Sequence, residues 1–323
     1  MKPGPRAKFL LKLAVSAGLA AYLAKVISWR QVGTALRHAD PIWIAAGYAQ
    51  MLAMFYLQAL RWKVMLRIPG LAVAKYLHFI FVGLFYRVIL PGSLSADMLK
   101  VVLFGKKYNK PLHESGLIFF SQLLGMLMQW IMGALGLFYF GAPLWEGLRG
   151  AQLSDRKLFL LAAGAVAFCA LPFLPPVRRF AGRMLGSIRG VLAERGILSR
   201  VILVTVGIQL LTIGSAYSIF RGVGVAIPVL FLCFQMSLAI VCSALPISIN
   251  GIGLVEYLNL FLLQKTLGTP AASVIAVSVV SYSLLVFNAL LGGAWMLFRN
   301  LAAAREARHA IASDLPHNLT SRD

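Results

Sequence analysis

Four stretches of this chain contain no Asp, Glu, Lys or Arg, and each is long enough to cross a membrane. They cover residues 158–177, 201–220, 222–255 and 266–298. About 20 apolar residues are sufficient to span the hydrocarbon core of a bilayer as a helix. The chain as a whole is 60% hydrophobic and 13% charged, compared with about 25% charged residues in soluble domains. The sequence therefore predicts an all-α, polytopic membrane helix bundle.

The net charge of +21 raises nucleic acid as a partner, but the distribution of the charge argues against it. The basic residues flank apolar segments and do not line a polar domain with interleaved aromatic residues. Lys and Arg concentrate in the cytoplasmic loops of membrane proteins, where they also attract anionic lipid head groups. We expect no nucleic-acid partner and use the basic residues to orient the chain.

The sequence does not support a metal site or a cofactor. Cys169, Cys233 and Cys242 lie in apolar stretches, without the spacing of disulfide frameworks or zinc ligands. The five histidines do not form a His-Glu-x-x-His motif, and neither a glycine-rich phosphate loop nor a nucleophile elbow is present. We therefore expect no cofactor and no metal, and we assign no catalytic residue.

The basic residues predict a re-entrant hairpin in the first half of the chain. If 71–90 crossed the membrane completely, the lysines of 100–110 would lie opposite the basic residues of 61–75. Both clusters have the composition of cytoplasmic loops. The conflict disappears if 71–90 enters from the cytoplasm, breaks near Pro91 and returns over 94–105.

The same reasoning predicts a second hairpin, inserted from the opposite side. Residues 226–247 would enter from the outer side, break near Pro246 and return over 254–265. The fold is then inverted-repeat-like, with both termini in the cytoplasm and most of the 31 basic residues on the cytoplasmic side. Six full spans complete this topology: 9–29, 41–60, 115–141, 158–177, 201–220 and 270–298.

We expect a single transmembrane domain over residues 1–300. It contains a basic cytoplasmic linker over 176–200, in which arginines alternate with apolar residues at helical spacing. Such a segment either lies on the membrane surface or packs on the bundle. Residues 301–323 are predicted to be a disordered cytoplasmic tail.

The second break carries the strongest functional signal. It reads L-P-I-S-I-N-G-I-G-L-V-E over 245–256. Proline removes a backbone donor and glycine weakens the helix, so the released polar groups need protein or a water-lined cavity. An ionised carboxylate at this depth costs about 3 kcal/mol and usually marks a substrate or ion path. The candidate binding residues here are Pro246, Ser248, Asn250, Gly251, Gly253 and Glu256.

The first break reads P-G-S-L-S-A-D-M-L-K over 91–100. Asp97 and Lys100 are three residues apart and would share one face of the returning helix. The N-terminus of a half-helix inside the membrane offers free N–H groups to an anion, for which phosphate is the natural candidate. The candidate binding residues here are Arg87, Pro91, Gly92, Ser93, Ser95, Asp97 and Lys100.

Two discontinuous helices in opposite halves are typical of a midplane transport site, so we expect the two breaks to meet. In the alternative, Pro and Gly only kink packed helices, and Asp97 and Glu256 pair with Lys100 and Arg87. Interhelical hydrogen bonds are expected for the polar residues inside spans, and interfacial anchoring for three residues near a membrane boundary. The first set is Gln122, Gln129, Gln209, Gln235, Tyr282 and Asn288; the second is Gln58, Arg61 and Trp62.

The segments A-L-P-I-S-I-N-G-I-G-L-V-E (244–256) and L-P-G-S-L-S-A-D-M-L-K (90–100) resemble motifs of the lysylphosphatidylglycerol synthase transmembrane region, or flippase-like, family. The resemblance covers roughly residues 10–300. The family commonly has Gly-Gly-Asp followed by Arg where this chain has Ser-Ala-Asp and Lys100. An Asp-Arg often found in the family's next helix is replaced near 121–122.

The resemblance implies a lipid translocase of the bacterial cytoplasmic membrane. The substrate would be a phospholipid or polyprenyl-phosphate-type lipid, recognised by its anionic or aminoacylated head group. Only about 25 residues follow the last predicted span, so we expect no aminoacyl transfer domain and no complete synthase. Two alternatives stay open: a membrane-embedded enzyme using Asp97 and Glu256 as acid and base on a lipid-linked substrate, and a non-catalytic assembly protein. Homo-oligomerisation is also open.

Overall fold

The computed structural model describes residues 29–89, 93–108, 112–150, 194–244 and 253–313. Within these ranges the regular secondary structure is entirely helical, as predicted. The helices are α1 Trp29–Arg37, α2 Pro41–Leu66, α3 Val73–Ile89, α4 Ser93–Lys107, α5 Leu112–Gly150, α6 Arg195–Gly222, α7 Val229–Ala244, α8 Leu254–Leu267 and α9 Ala271–Ser313.

Three of the described helices are long and apolar enough to cross a membrane. The segments are Phe120–Phe140 in α5, Arg195–Gly222 in α6 and Ala271–Arg299 in α9. They correspond to three of the six predicted spans. The predicted span 41–60 lies within α2, whereas 9–29 and 158–177 lie outside the described residues. Large apolar side chains on these helices face outward, as lipid contact requires: Leu127, Phe138, Leu203 and Leu290 are each more than half exposed.

The antiparallel pair of α2 and α6 forms the most extensive helix contact in the described fold. At one end, the Asp40 N–H donates to the Gly222 carbonyl over 2.7 Å. At the other end, the Arg67 guanidinium binds the Glu194 carboxylate, with 3.0 Å between Nη1 and Oε1. Between these ends, Gly47 allows the close approach that lets the Ser215 hydroxyl donate to its carbonyl over 2.7 Å. The two helices are therefore held together by hydrogen bonds at both ends and are closely packed between them.

Four pairs of contacts among the other helices repeat when α2–α5 is exchanged with α6–α9. Helix α3 packs on α9, and its counterpart α7 packs on α5. The pairs α2–α3, α3–α4 and α4–α5 match α6–α7, α7–α8 and α8–α9 in the same way. This exchange is the packing that an inverted-repeat-like fold requires.

In the two matching pairs, α5–α7 and α3–α9, the two helices are in close contact at a glycine. Gly136 on α5 lies against the Leu230 carbonyl of α7, and Gly292 on α9 lies against the Phe81 carbonyl of α3. A Cβ at either glycine would overlap the backbone of the neighbouring helix. Small residues at such contacts let membrane helices pack closely, because packing replaces the hydrophobic effect as the driving force inside lipid.

The described helices end at both predicted breaks. Helix α3 ends at Ile89 and α4 begins at Ser93, while α7 ends at Ala244 and α8 begins at Leu254. The intervening residues 90–92 and 245–252 lie outside the described part of the chain. They include Pro91, Gly92, Pro246, Ser248, Asn250 and Gly251. The opposite insertion of the two hairpins remains a prediction.

Two helices extend further than expected from the sequence. Helix α6 begins at Arg195, so the last part of the predicted linker is helical, and residues 176–193 lie outside the described chain. Helix α9 continues to Ser313, within the predicted tail. The sequence L-A-A-A-R-E-A-R at 301–308 explains this extension, because Ala, Leu, Arg and Glu have high helix propensity.

Candidate functional site

A cavity of about 370 Å³ lies between α2, α3, α5, α6 and α7, and we call it the chamber. Its lining combines apolar side chains with two arginines and four glutamines. These polar residues are Gln58, Arg61, Arg87, Gln122, Gln129 and Gln209. Gln129 lies near the middle of the apolar segment Phe120–Phe140, and Gln209 lies at the middle of the 28-residue α6. Both segments are long enough to span the bilayer, so these two glutamines lie about halfway along membrane-length helices.

Arg61 is a buried cation in the chamber wall. It is only 2% exposed, and its Nη1 donates to the Thr205 hydroxyl on α6 over 3.3 Å. Its Nε–H has no hydrogen-bond partner among the described residues. The expectation that Arg61 is an interfacial anchor is wrong, because α2 turns this position toward α6 instead of toward the membrane surface. A buried guanidinium with an unused donor is unfavourable unless an anion or an acceptor reaches it.

Gly125 on α5 brings two donors to the same point in the chamber. A Cβ built on Gly125 would lie 3.7 Å from Arg61 Nη1 and 3.8 Å from Gln209 Nε2. Gln209 Nε2 also donates to the Gly125 carbonyl over 2.5 Å. Because Gly125 has no side chain, both nitrogens lie beside it, and each carries a second N–H besides the one that it donates to Thr205 or to the Gly125 carbonyl.

Interhelical hydrogen bonds are present at Gln129, Gln209, Gln235 and Asn288, as expected. Gln129 Nε2 lies 3.3 Å from the Cys233 carbonyl oxygen, and the Ser237 hydroxyl donates back to the Gln129 carbonyl over 2.8 Å. Gln235 donates to Asn259 over 2.5 Å and joins α7 to α8. These bonds hold α7 against α5 and α8, and so hold this part of the chamber wall in place.

Glu256 caps the helix that follows the second break. Its Oε2 accepts the Gly253 N–H over 2.6 Å, and the side chain is only 7% exposed. Gly253 has φ +84°, a left-handed conformation that glycine adopts without strain. The Tyr282 hydroxyl on α9 interacts electrostatically with the same carboxylate. Part of the desolvation of Glu256 is therefore offset by the Gly253 N–H, a donor already present in the protein.

Arg87 on α3 relates the chamber to the surroundings of the Glu256 carboxylate. It lies in the last turn of α3, lines the chamber and interacts electrostatically with Tyr282, as Glu256 does. Arg87 lies in the last turn of α3, before the first break, and Glu256 lies in the first turn of α8, after the second break. The two halves of the chain thus bring opposite charges to the same part of α9.

Comparison with known families identifies the chain. The family model of the lysylphosphatidylglycerol synthase TM region matches residues 9–316. The chain belongs to this family. No curated protein and no solved structure matches it. The matched range includes both breaks and every residue of the chamber, so the chamber lies within the membrane domain that defines the lysylphosphatidylglycerol synthase TM region.

The remaining predicted site residues of this family member are only partly described. Lys100 lies on α4, and its aliphatic stem crosses α3 at Gly83, where a Cβ would overlap it. Ser93, Ser95 and Asp97 belong to the first turns of α4, but their side chains are outside the described part of the structure. No cluster of three His, Cys, Asp or Glu residues that could hold a metal occurs in the described ranges.

The sequence-based assignment missed the chamber residues of α2. Gln58 and Arg61 were expected at the membrane boundary, but both line the chamber. The sequence does contain a pattern that indicates a shared polar face: Met54, Gln58 and Arg61 are four and three residues apart, so they lie on one face of a helix. Helix α5 repeats this spacing with Gln122, Met126 and Gln129.

Proposed function

We propose that this protein moves a lipid across the bacterial cytoplasmic membrane by passing its head group through the chamber while the acyl or prenyl chains stay in the bilayer. The observation that carries the proposal is a polar chamber with two arginines between helices that include membrane-length segments. Polar and charged groups are expensive inside a bilayer and usually serve a transport path. Membership of the lysylphosphatidylglycerol synthase TM region family favours a phospholipid as the cargo.

The residues around the breaks would handle the charges of the head group. Arg87 would attract the phosphate, with help from Lys100 and from the N-terminal turn of α4, where Ser93 and Ser95 lie. Asp97 and Glu256 would cycle a proton as the head group moves. For Glu256, protonation would replace an ionised acceptor of the Gly253 N–H by a neutral one, and would thus couple charge to the start of α8.

A groove at one end of the α2–α6 pair supports a path into the chamber. It has a volume of about 560 Å³ and is lined by Lys63, Arg67, Glu194 and Arg200. Leu60 also lines it, directly before Arg61 in the chain. By the predicted topology, this end faces the cytoplasm, where the surplus of cations would attract anionic head groups.

The test is lipid translocation in liposomes that contain the purified full-length protein. A fluorescent, head-group-defined phosphatidylglycerol analogue is placed in both leaflets, and a membrane-impermeant reductant removes the fluorescence of outward-facing molecules. Active protein should make the inner-leaflet fluorescence accessible as well. We expect Arg87→Gln, Asp97→Asn and Glu256→Gln to slow this phase toward the rate of protein-free liposomes.

Lys100→Gln and Lys106→Gln provide a matched pair. Lys100 is half-buried against α3, whereas Lys106 on the same helix is exposed, so only the first substitution should slow translocation. Full rates in all of the Arg87, Asp97 and Glu256 variants would refute the proposal. Formation of a new lipid product by purified protein in detergent, where sidedness has no meaning, would favour the membrane-enzyme alternative.

A further inference from the structure

We infer that Arg61, together with Gln209, forms a phosphate-binding subsite in the chamber wall, and that this subsite selects lipids whose head group carries a phosphate but no cation. The inference rests on the proposed function in one respect: the bound anion belongs to a lipid that the protein moves. The subsite itself follows from the geometry around Arg61, a residue that neither break contains.

The first support is the arrangement of donors. Arg61 Nη1 and Gln209 Nε2 lie 3.7 Å and 3.8 Å from the same point beside Gly125. The Arg61 Nε–H is buried and has no partner in the described structure. Both groups line the chamber, so a guanidinium and an amide with unused N–H groups can bind two oxygens of one phosphate there, because the planar guanidinium matches phosphate geometry.

The second support is the charge around Arg61. No carboxylate among the described side chains lines the chamber. Asp40 accepts the Ile42 N–H at the start of α2, Glu194 pairs with Arg67, and Glu256 caps α8. No described ion pair joins Arg61 to any of these three carboxylates. A buried cation of this kind is stabilised by an incoming anion.

The third support concerns selectivity. A lysyl, ethanolamine or choline group would bring a positive charge close to the buried Arg61, and like charges repel strongly in a weakly polar interior. The four glutamines offer both donors and acceptors, which suit hydroxyl groups. The chamber therefore fits a phosphate bearing glycerol or another neutral polyol, and it disfavours an aminoacylated phosphate.

Gly125 provides a sharp test that leaves Arg61 intact. At 3.7 Å and 3.8 Å, a Cβ at this position makes ordinary contacts with Arg61 and Gln209, so Gly125→Ala is sterically tolerated. The methyl group would nevertheless occupy the space where a phosphate oxygen meets both donors. Gly196→Ala is the matched control, because it also replaces a helical glycine and its Cβ would lie in open space.

The experiment measures binding of short-chain lipids to the full-length protein in detergent by titration calorimetry. The probes are dioctanoyl phosphatidylglycerol, its lysyl ester and dioctanoyl phosphatidylcholine. We expect phosphatidylglycerol to bind about tenfold or more tightly than the other two. Arg61→Met and Gly125→Ala should each weaken its binding by a similar factor, and Gly196→Ala should leave it unchanged. Thermal melting of each variant establishes that it is folded.

Glycerol 3-phosphate separates the two sources of the anion. If it displaces phosphatidylglycerol at comparable concentrations, the lipid part of the inference is wrong and the site serves a free phosphate. If it does not, the lipid assignment stands. Equal binding of the lysyl ester would overturn the selectivity.

The outcomes also distinguish this inference from the proposed function. Unchanged phosphatidylglycerol binding in both folded variants would overturn the subsite, even if liposomes containing the protein translocate lipid. Binding that depends on Arg61 and Gly125, without any translocation in liposomes, would instead retain the subsite and refute the translocase.

Discussion

Arg61 on α2 and Thr205 on α6 are joined by a buried hydrogen bond, with 3.3 Å between the guanidinium Nη1 and the hydroxyl oxygen. The Thr205 hydroxyl donates its own proton to the Val201 carbonyl over 2.7 Å. Its lone pairs are therefore available to Arg61. This relay from the α6 backbone through Thr205 holds the guanidinium at the chamber wall.

Removing the Thr205 hydroxyl should destabilise the fold. Thr205→Val keeps the shape of the side chain but leaves Arg61 Nη1 without this acceptor, so we expect a loss of about 1–3 kcal/mol in the free energy of unfolding. The measurement is thermal melting in detergent. Thr212→Val is the control, because Thr212 also lines the chamber and donates to a carbonyl of its own helix, but accepts no described bond from Arg61. Equal losses in the two variants would contradict the role given to Thr205.

The glycines at the exchanged helix contacts should resist substitution. Helix propensity alone predicts that Gly→Ala stabilises a helix by about 1 kcal/mol. At Gly136 and Gly292 the added Cβ would overlap backbone of the neighbouring helix, so we expect a net loss of about 1–3 kcal/mol instead. Melting temperatures of the two variants, compared with that of Gly196→Ala, test this prediction. A gain in stability at Gly136 or Gly292 would show that the helices are not in such close contact.

Two substitutions at Glu256 should separate its capping role from its charge. Glu256→Gln keeps an oxygen that can accept the Gly253 N–H, so most of the stability should remain. Glu256→Ala removes the cap and the Tyr282 interaction, and should lower the free energy of unfolding by about 0.5–2 kcal/mol. Chemical or thermal denaturation in detergent compares them. If Glu256→Gln were as unstable as Glu256→Ala, the ionised form and not the cap would stabilise α8.

The Arg67–Glu194 pair should make stability depend weakly on pH. Hydrogen bonding to the Arg67 guanidinium lowers the pKa of the Glu194 carboxyl below its usual value of 4.5. The stabilisation is therefore fully present above the usual pKa and is lost as the pH falls through the lower, folded value. Both side chains are at least half exposed, so the effect should be small and should weaken with added salt.

The measurement for this pair is the difference in melting temperature between the native protein and Glu194→Gln. We expect that difference to shrink as the pH is lowered below about 4.5. Other carboxyl groups titrate in both proteins and cancel in the comparison. A difference that does not change with pH would mean that the pair contributes nothing.

Helix positions and breaks could be predicted from the sequence because they depend on local composition. The uncharged stretch 201–220 alone requires a membrane-length helix, and α6 covers it. Proline next to glycine at 91–92, and proline followed by two glycines over 246–253, disfavour a continuous helix, and α3 and α7 end shortly before these residues. Helix boundaries at Arg195 and Ser313 were missed, because charged residues with high helix propensity extend a helix beyond its apolar part.

The chamber could not be predicted in the same way, because it is made by helix packing. A lone arginine five residues from the end of α2 is typical of a membrane boundary, and only the contact with α6 buries it. The helical spacing of Gln58 with Arg61, of Gln122 with Gln129 and of Thr205 with Gln209 carried the information. This spacing predicts a polar chamber only once the polar faces of α2, α5 and α6 are known to meet.

Hydrogen bonds join α2 to α6 at both ends of the helix pair. Asp40 and Gly222 are bonded at one end, and Arg67 and Glu194 at the other, so we expect the two helices to move as one rigid unit. If transport exposes the chamber to each membrane face in turn, the helices beside the breaks must move relative to this pair. Spin labels on α3, α4, α7 and α8 should then show larger distance changes during transport than labels on α2 and α6.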